Sequence, residues 1–239
     1  MKRALVTGGS GQIGAAISRQ LAQEHLHVIV HAHRHRASAE DVTKHIIEAG
    51  GSASVACFDV SDAQATQRAL TELLEAGPIQ VLVNNAGIHD DAPMAGMRTD
   101  QWSKVIAVSL HGFFNVTQPL LLPMMGTRWG RIITISSISA VLGNRGQTNY
   151  AAAKAGLHGA CKSLAQEVAS RGVTVNVVAP GIIESRMVEQ TFKPEQIEAL
   201  VPMKRAGTPQ EVAYMVGFLA SEKADYISGQ VIGLNGGMA

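Results

Sequence analysis

The sequence predicts an α/β fold, a parallel doubly wound sheet carried by one domain over residues 1–239. Three observations predict it. Short aliphatic runs alternate with segments of helical periodicity from the first residues onward. The runs are followed by glycine-rich or polar clusters: Thr7 to Gly14, His31 to Arg36, Asp59-Val60, Asn84 to Gly87, Ser136-Ser137 and Pro180-Gly181. Ligands of such sheets bind beyond the carboxyl ends of the strands, and these clusters fall there.

Taken in order, Ala4-Leu5-Val6 is the first strand. It enters the turn Thr7-Gly8-Gly9-Ser10-Gly11-Gln12-Ile13-Gly14, then a helix with Ile13, Ile17 and Leu21 on one face. A glycine-rich strand-to-helix turn lets backbone N–H groups approach a pyrophosphate at the helix N-terminus. Val28 to Val30 is the second strand. In dinucleotide-binding folds an acid near this strand end holds the ribose 2′-OH of NAD. Here the chain reads His31-Ala32-His33-Arg34-His35-Arg36, with no acid before Glu40. A carboxylate would repel a 2′-phosphate and Arg34 would bind it, which points to NADP(H). The three histidines lack helical spacing and cysteine companions, so they are taken as polar loop, with no metal site expected.

A helix over 39–49 and a strand over 54–58 come next, ending at Asp59-Val60. Asp59 can accept from an adenine amino group, and Ser61 or Asp62 can cap the helix that runs to Ala76. Ile79 to Val83 is the fourth strand, followed by Asn84-Asn85-Ala86-Gly87. A long helix is expected over 100–125, ending near Pro119 to Pro123. Strands are expected at 132–135, 173–178 and 230–234, with a helix over 209–219. Residues 184–205, irregular and containing Pro194 and Pro202, are expected to form a substrate lid.

The stretch from 131 to 164 carries the chemistry. A strand ends in Ser136-Ser137, a Gly/Asn-rich loop follows, and a small-residue helix presents Tyr150 and Lys154. Residues four apart share a helix face, so the phenol and the ammonium can enter one space. A free tyrosine titrates near pH ~10, and a neighbouring ammonium favours the phenolate. A serine hydroxyl from the strand end can hold a carbonyl oxygen against the phenol. Together they form a device for protonating an alkoxide as it appears.

The bulk numbers bound the rest. With 239 residues and 46% hydrophobic content but 4% aromatics, the core must be Ala, Val, Ile and Leu. A net charge of +1 without long runs of one sign argues against nucleic acid or an anionic membrane as partner. No apolar run of membrane length and no signal peptide are expected. Cys57 and Cys161 both lie in apolar segments, as reduced core thiols, which fits a cytoplasmic address.

Over its whole length the chain resembles the short-chain dehydrogenase/reductase family. The resemblance rests on the Thr7-Gly8 turn, Asp59-Val60, Asn84-Asn85-Ala86-Gly87, Ser137, Tyr150-x-x-x-Lys154 and Pro180-Gly181. Within that family, GNRGQTNYAAAKAGLHG, VPMKRAGTPQEVA and the ending ISGQVIGLNGGMA are similar to the 3-oxoacyl-acyl-carrier-protein reductases. The resemblance implies a Rossmann-type sheet of seven strands with helices on both faces, and NADPH-dependent carbonyl reduction. It also implies a homotetramer paired through the helices at 100–125 and 150–168.

By the same resemblance, Tyr150 is the general acid, Lys154 lowers its pKa and holds the nicotinamide ribose, and Ser137 orients the ketone. Gly8, Ser10, Gly11, Gln12, Ile13, Gly14, Asn85, Ala86, Gly87, Pro180, Gly181 and Ile183 join Arg34, Asp59 and Val60 at the cofactor. Arg128 and Arg171 match positions that meet the acyl carrier protein. Two departures stand out. Gln12 replaces the middle glycine of the usual turn. Ser109 replaces the helix asparagine that anchors a relay water, so the relay is expected to be slower or rerouted. The pathway resembles both fatty acid and aryl polyene synthesis, with a lean to the latter from HRHR and VPMKRAG. Two other functions fit the same residues: a dehydrogenase of another secondary alcohol, sugar or steroid, and a non-catalytic NADP-binding subunit.

Overall fold

Seven β-branched or aliphatic runs form strands: β1 (Arg3–Val6), β2 (His27–Ala32), β3 (Ser52–Cys57), β4 (Val81–Asn84), β5 (Gly130–Ile135), β6 (Val173–Pro180) and β7 (Val231–Leu234). All pair in parallel, in the order β3-β2-β1-β4-β5-β6-β7. The computed structural model describes residues 1–239 apart from Arg186, Met187, Glu189 and Thr191. Helices α1 (Gln12–Gln23), α2 (Arg36–Glu48) and α3 (Ala63–Glu75) connect the first four strands. Then come α4 (Thr99–Ile106), α5 (Gly112–Gly126), the short α6 (Ser139–Leu142), α7 (Thr148–Val168), α8 (Pro194–Leu200) and α9 (Pro209–Ala220).

The sheet carries apolar side chains on both faces, as a parallel sheet covered by crossover helices must. One core gathers Ala4, Val6, Val28, Val30, Val83 and Ile133 with α1, α2 and α9. The other gathers Leu5, Ile29, Leu82, Ile132 and Val175 with α5 and α7. The register alternates accordingly: Leu5 sits between Ile29 and Leu82, while Val6 sits between Val30 and Val83. The expected α/β architecture and its seven strands are therefore present.

The long helix fills the range expected over 100–125, but its end differs. It does not end at Pro119 to Pro123; both prolines lie inside α5, which runs on to Gly126. Each proline removes one N–H, freeing the carbonyls of Asn115 and Pro119 on a partly exposed side where water can replace the bond. Upstream, Ala107–His111 forms one π-helical turn between α4 and α5. The joined stretch Thr99–Gly126 has an 18-residue window of mean hydropathy 1.4, long and apolar enough by composition to cross a membrane. That corrects the expectation that no run reaches such a length. Here Val105, Val116, Leu120 and Met124 are buried within the fold, while Phe114 and Leu122 are exposed.

The thiols also divide. Cys161, on α7, is buried and donates to Thr134 Oγ1 at 3.3 Å, whereas Cys57, at the end of β3, is exposed and is not a core thiol.

Candidate dinucleotide and catalytic site

The turn after β1 is held from three sides. Gly8 takes φ +60°, a left-handed conformation that glycine adopts without strain. Its N–H donates to His31 Nδ1 at 3.0 Å, and its carbonyl accepts from Asn85 Nδ2 at 3.0 Å. Thr7 Oγ1 accepts from the backbone N–H groups of Asn85 and Ala86, each at 3.0 Å. The ends of β1, β2 and β4 are thereby tied together. Gly14 is required by close approach: a Cβ there would lie 2.1 Å from the Gly8 carbonyl oxygen.

α1 begins at this turn with Gly11 as its N-cap, no side-chain cap and no acid in its first turn. Its leading N–H groups are left for an anion, and the residues present fit a pyrophosphate. Gln12, in place of the usual glycine, is the exposed first residue of α1, so its side chain meets no obstacle. Ser10 sits in the turn itself, and Ile13 packs against the core.

At the end of β2, Arg34 is exposed and forms no ion pair among the described residues. Arg36 instead pairs with Glu40 at 2.8 Å, so the first acid after this strand is already neutralised. Asp59 accepts from the Ser61 N–H and hydroxyl at 2.9 and 2.7 Å and faces His33 at 3.4 Å. Burial opposes its charge, but the Ser61 bonds, with His33 and Arg34 nearby, hold its pKa below the usual value. The adjoining helix is capped by Asp62, whose carboxylate accepts from Ala65 N–H. Val60 is buried, and its carbonyl accepts from Asn115.

His31 is not polar loop. It lies within β2, 2% exposed, and burial pushes its pKa down from 6.5 to about 4. The folded chain therefore binds fewer protons there than the unfolded chain as pH falls from 6.5 toward 4, and stability is lost through that window. The loss at pH ~4.5 is expected to be about 2–3 kcal/mol. Urea denaturation at pH 7 and 4.5 measures it, and His31→Asn should remove most of the difference.

The catalytic candidates converge at the ends of β5 and β6. Ser137 follows β5, and its hydroxyl accepts from Ser139 N–H at 3.1 Å. Tyr150, early in α7, is oriented by buried Asn149, whose side-chain oxygen accepts from Tyr150 N–H at 2.8 Å while its amide donates to the Asp90 and Gln101 carbonyls. Burial pushes the Tyr150 phenol above its usual value, the Ser137 hydroxyl pulls it back and Asp91 adds to the rise.

Lys154 is 3% exposed and donates to the Ile135 carbonyl at 2.8 Å. Burial pushes it down to about 8. Its Nζ stands 5.8 Å from the Tyr150 ring centre. In this structure desolvation dominates and the phenol lies above its usual value, with no lowering by the ammonium among the causes. Gly87 leaves room for that side chain, since a Cβ would lie 3.1 Å from Lys154 Nζ.

On the β6 side, Pro180 ends the strand and its carbonyl accepts from Ile138 N–H, while Gly181 N–H donates to Leu234. Ile183 is buried and pairs through its backbone with Gly207. Sequence reasoning missed Gln147, which joins Asp91, Ser139 and Asn144 at 2.8, 3.0 and 3.0 Å. The polar residues just before Tyr150 were its only signal.

The model of the family described as Enoyl-(Acyl carrier protein) reductase matches residues 9–239. Curated relatives cover nearly the whole chain. One, the 3-oxoacyl-acyl-carrier-protein reductase FabG of Aggregatibacter actinomycetemcomitans, is 42% identical over 98% of both chains. The protein of the same name from Salmonella typhimurium is 44% identical over 99% of this chain and 97% of its own. That from Staphylococcus aureus is 42% identical over 99% and 98%. The chain belongs to the short-chain dehydrogenase/reductase family.

Membership in the short-chain dehydrogenase/reductase family brings a nicotinamide dinucleotide as cofactor, and the open N-terminus of α1 fits one. Ser109 lies on the π turn, buried, its hydroxyl without a partner among the described residues. It lines a cavity of about 10 Å³ with Thr7, Asn84 and Thr134, space for about one water. Arg128 and Arg171 are neighbours, since a Cβ on Gly172 would lie 2.3 Å from the Arg128 carbonyl oxygen. They precede β5 and β6, at the opposite end of the sheet from Ser137 and Tyr150. Of the lid expected over 184–205, four residues lie outside the described ones, and α8 forms its later part.

Proposed function

We propose that this chain is an NADPH-dependent 3-oxoacyl thioester reductase acting on substrates carried by acyl carrier protein. One observation carries the reading: Ser137, Tyr150 and Lys154 meet at the strand ends beside an α1 N-terminus open to a pyrophosphate. The relatives' names support the substrate class. The bound nicotinamide supplies the hydride. Tyr150 donates its proton to the carbonyl oxygen as that oxygen becomes an alkoxide, and Ser137 holds the same oxygen in place. A phenol with its ordinary pKa of about 10 is protonated at neutral pH, and burial pushes Tyr150 further up, so the acid form is the one present in the reductive direction. Lys154, with the space left by Gly87, holds the ribose hydroxyls. Asn85, Ala86, Pro180, Gly181 and the Ile183 backbone complete the seat.

Arg34 is the proposed clamp for the 2′-phosphate, being exposed and uncommitted while Arg36 is paired. Arg34→Ala is expected to raise the KM for NADPH about tenfold or more and leave that for NADH unchanged, from the loss of a charge-assisted bond. Parallel assays with the two dinucleotides read this; equal effects on both would remove Arg34 from the phosphate site.

A second reading follows from the matched family's description, enoyl reduction. Protonation then falls on carbon rather than oxygen, and a serine–tyrosine pair aimed at one oxygen has less to do. Acetoacetyl and crotonyl thioesters, compared with NADPH, separate the two: turnover of the first supports ketone reduction, and turnover of crotonyl alone overturns it. A conjugated 3-oxoacyl thioester tests the aryl polyene substrates suggested by HRHR and VPMKRAG.

The proposed assembly is a homotetramer. Phe114 and Leu122 on α5 are exposed, and on α7 Ala152, Ala155 and Gly159 face outward. Gly156 instead accommodates Leu110 of the same chain. Because Arg128 and Arg171 sit at the far end of their own sheet, a carrier held there would serve the site of a neighbouring copy. Unpaired thiols agree with a cytoplasmic setting.

A further inference from the structure

The HAHRHR run leaves one residue that neither the phosphate clamp nor the chemistry uses. His31 is 2% exposed and makes two hydrogen bonds with opposite demands. Its Nδ1 accepts from Gly8 N–H at 3.0 Å, so it carries no proton. Its Nε2 lies 2.9 Å from the Phe58 carbonyl, an acceptor, so it must carry one. The ring is therefore fixed as the neutral Nε2–H form, with the Phe58 ring 4.2 Å away. It joins the phosphate-facing turn after β1 to the end of β3, where Asp59 and Val60 begin.

We propose that His31 is a positioning residue for the dinucleotide: its unprotonated Nδ1 sets the Gly8 peptide and so aims the turn at the pyrophosphate. Asn85 fixes the carbonyl side of Gly8, and His31 fixes the N–H side. With one clamp gone, the half-buried Gly8 N–H loses its partner, and the turn must shift to find another. A protonated ring would oppose that N–H with a second donor. The titratable groups facing the ring are His33, which disfavours protonation, and Asp59, which favours it; desolvation outweighs both.

Two substitutions separate this role from simple packing. In His31→Asn the side-chain oxygen stands near the place of Nδ1, keeping an acceptor for Gly8 and losing Phe58. In His31→Gln the amide reaches Phe58 but offers Gly8 nothing at the right distance. Packing alone favours the larger Gln. The expected result is NADPH affinity within about threefold of wild type for Asn and weakened about tenfold or more for Gln. The measurement is fluorescence titration of the unreacted protein with NADPH. In parallel, 15N imidazole spectra of the wild type without dinucleotide should show Nδ1 unprotonated and Nε2 protonated. Equal affinity in the two variants, or a protonated Nδ1, overturns the role of His31. The inference rests on the turn as a dinucleotide seat. Failure of the wild type itself to bind NADPH or NADH overturns that seat, whereas binding with Gln equal to Asn overturns only His31.

Discussion

Tyr150→Phe is expected to lower kcat about 10³-fold or more while leaving NADPH affinity within about threefold, the loss typical of a general acid removed from a built site. The substitution takes away one oxygen. The ring stays packed, and Asn149 still holds the backbone N–H at 2.8 Å, so α7 and Lys154 keep their places. Ser137 can still hold the carbonyl oxygen, but an aliphatic hydroxyl is a far weaker acid than a phenol and cannot replace the lost proton donor. Steady-state loss of nicotinamide absorbance with acetoacetyl thioester measures turnover, and fluorescence titration measures binding. Turnover near the wild-type rate would remove Tyr150 as the acid. Loss of binding together with turnover would assign it a seat for the dinucleotide instead.

The second large effect is on the fold. Gly14→Ala is expected to destabilise the chain by about 3 kcal/mol or more, the upper end for overpacking. Its Cβ would sit 2.1 Å from the Gly8 carbonyl oxygen and 2.8 Å from Asn85 Nδ2. The nearer atom is backbone, in a turn already fixed by Asn85, Thr7 and His31, so it cannot yield cheaply. For a chain of this size the melting temperature should fall by about 6–12 °C. Gly11→Ala is the control. Gly11 has φ −73°, and its nearest neighbour to a Cβ is 3.4 Å away, so a cost under about 1 kcal/mol is expected. Calorimetry of both variants checks the pair; equal melting temperatures would mean that the turn relaxes.

Much of this site could be read from the chain because its parts are local. A glycine-rich turn, a strand-end serine and a Tyr-x-x-x-Lys spacing each need only a few residues to be recognised, and the parallel sheet brings the strand ends together. What could not be read depends on partners distant in sequence. His31 looks like one of three loop histidines until Gly8 and Phe58 are placed on either side of it. The tyrosine–lysine spacing points to a lowered phenol pKa, but the depth of burial, with Asp91 nearby, sets the direction upward. Pro119 and Pro123 signal a helix end by propensity, yet α5 is held across them by Val116, Leu120 and Met124 in the core. Cys57 lies in a strand-forming run, but on a strand at the edge of the sheet, and only the strand order reveals that.

The strand order has a consequence for how the chain is made. Ribosomes deliver β1 first, and β2 then pairs with it, β3 with β2, and β4 with the free side of β1. β5, β6 and β7 each add to the strand delivered just before. Each strand after β1 finds a partner already synthesised, although each pairing must close a crossover of a dozen or more residues. The sheet can therefore grow outward from β1 at the pace of translation, with the free side of β1 open until β4 arrives and only the newest edge extended after that.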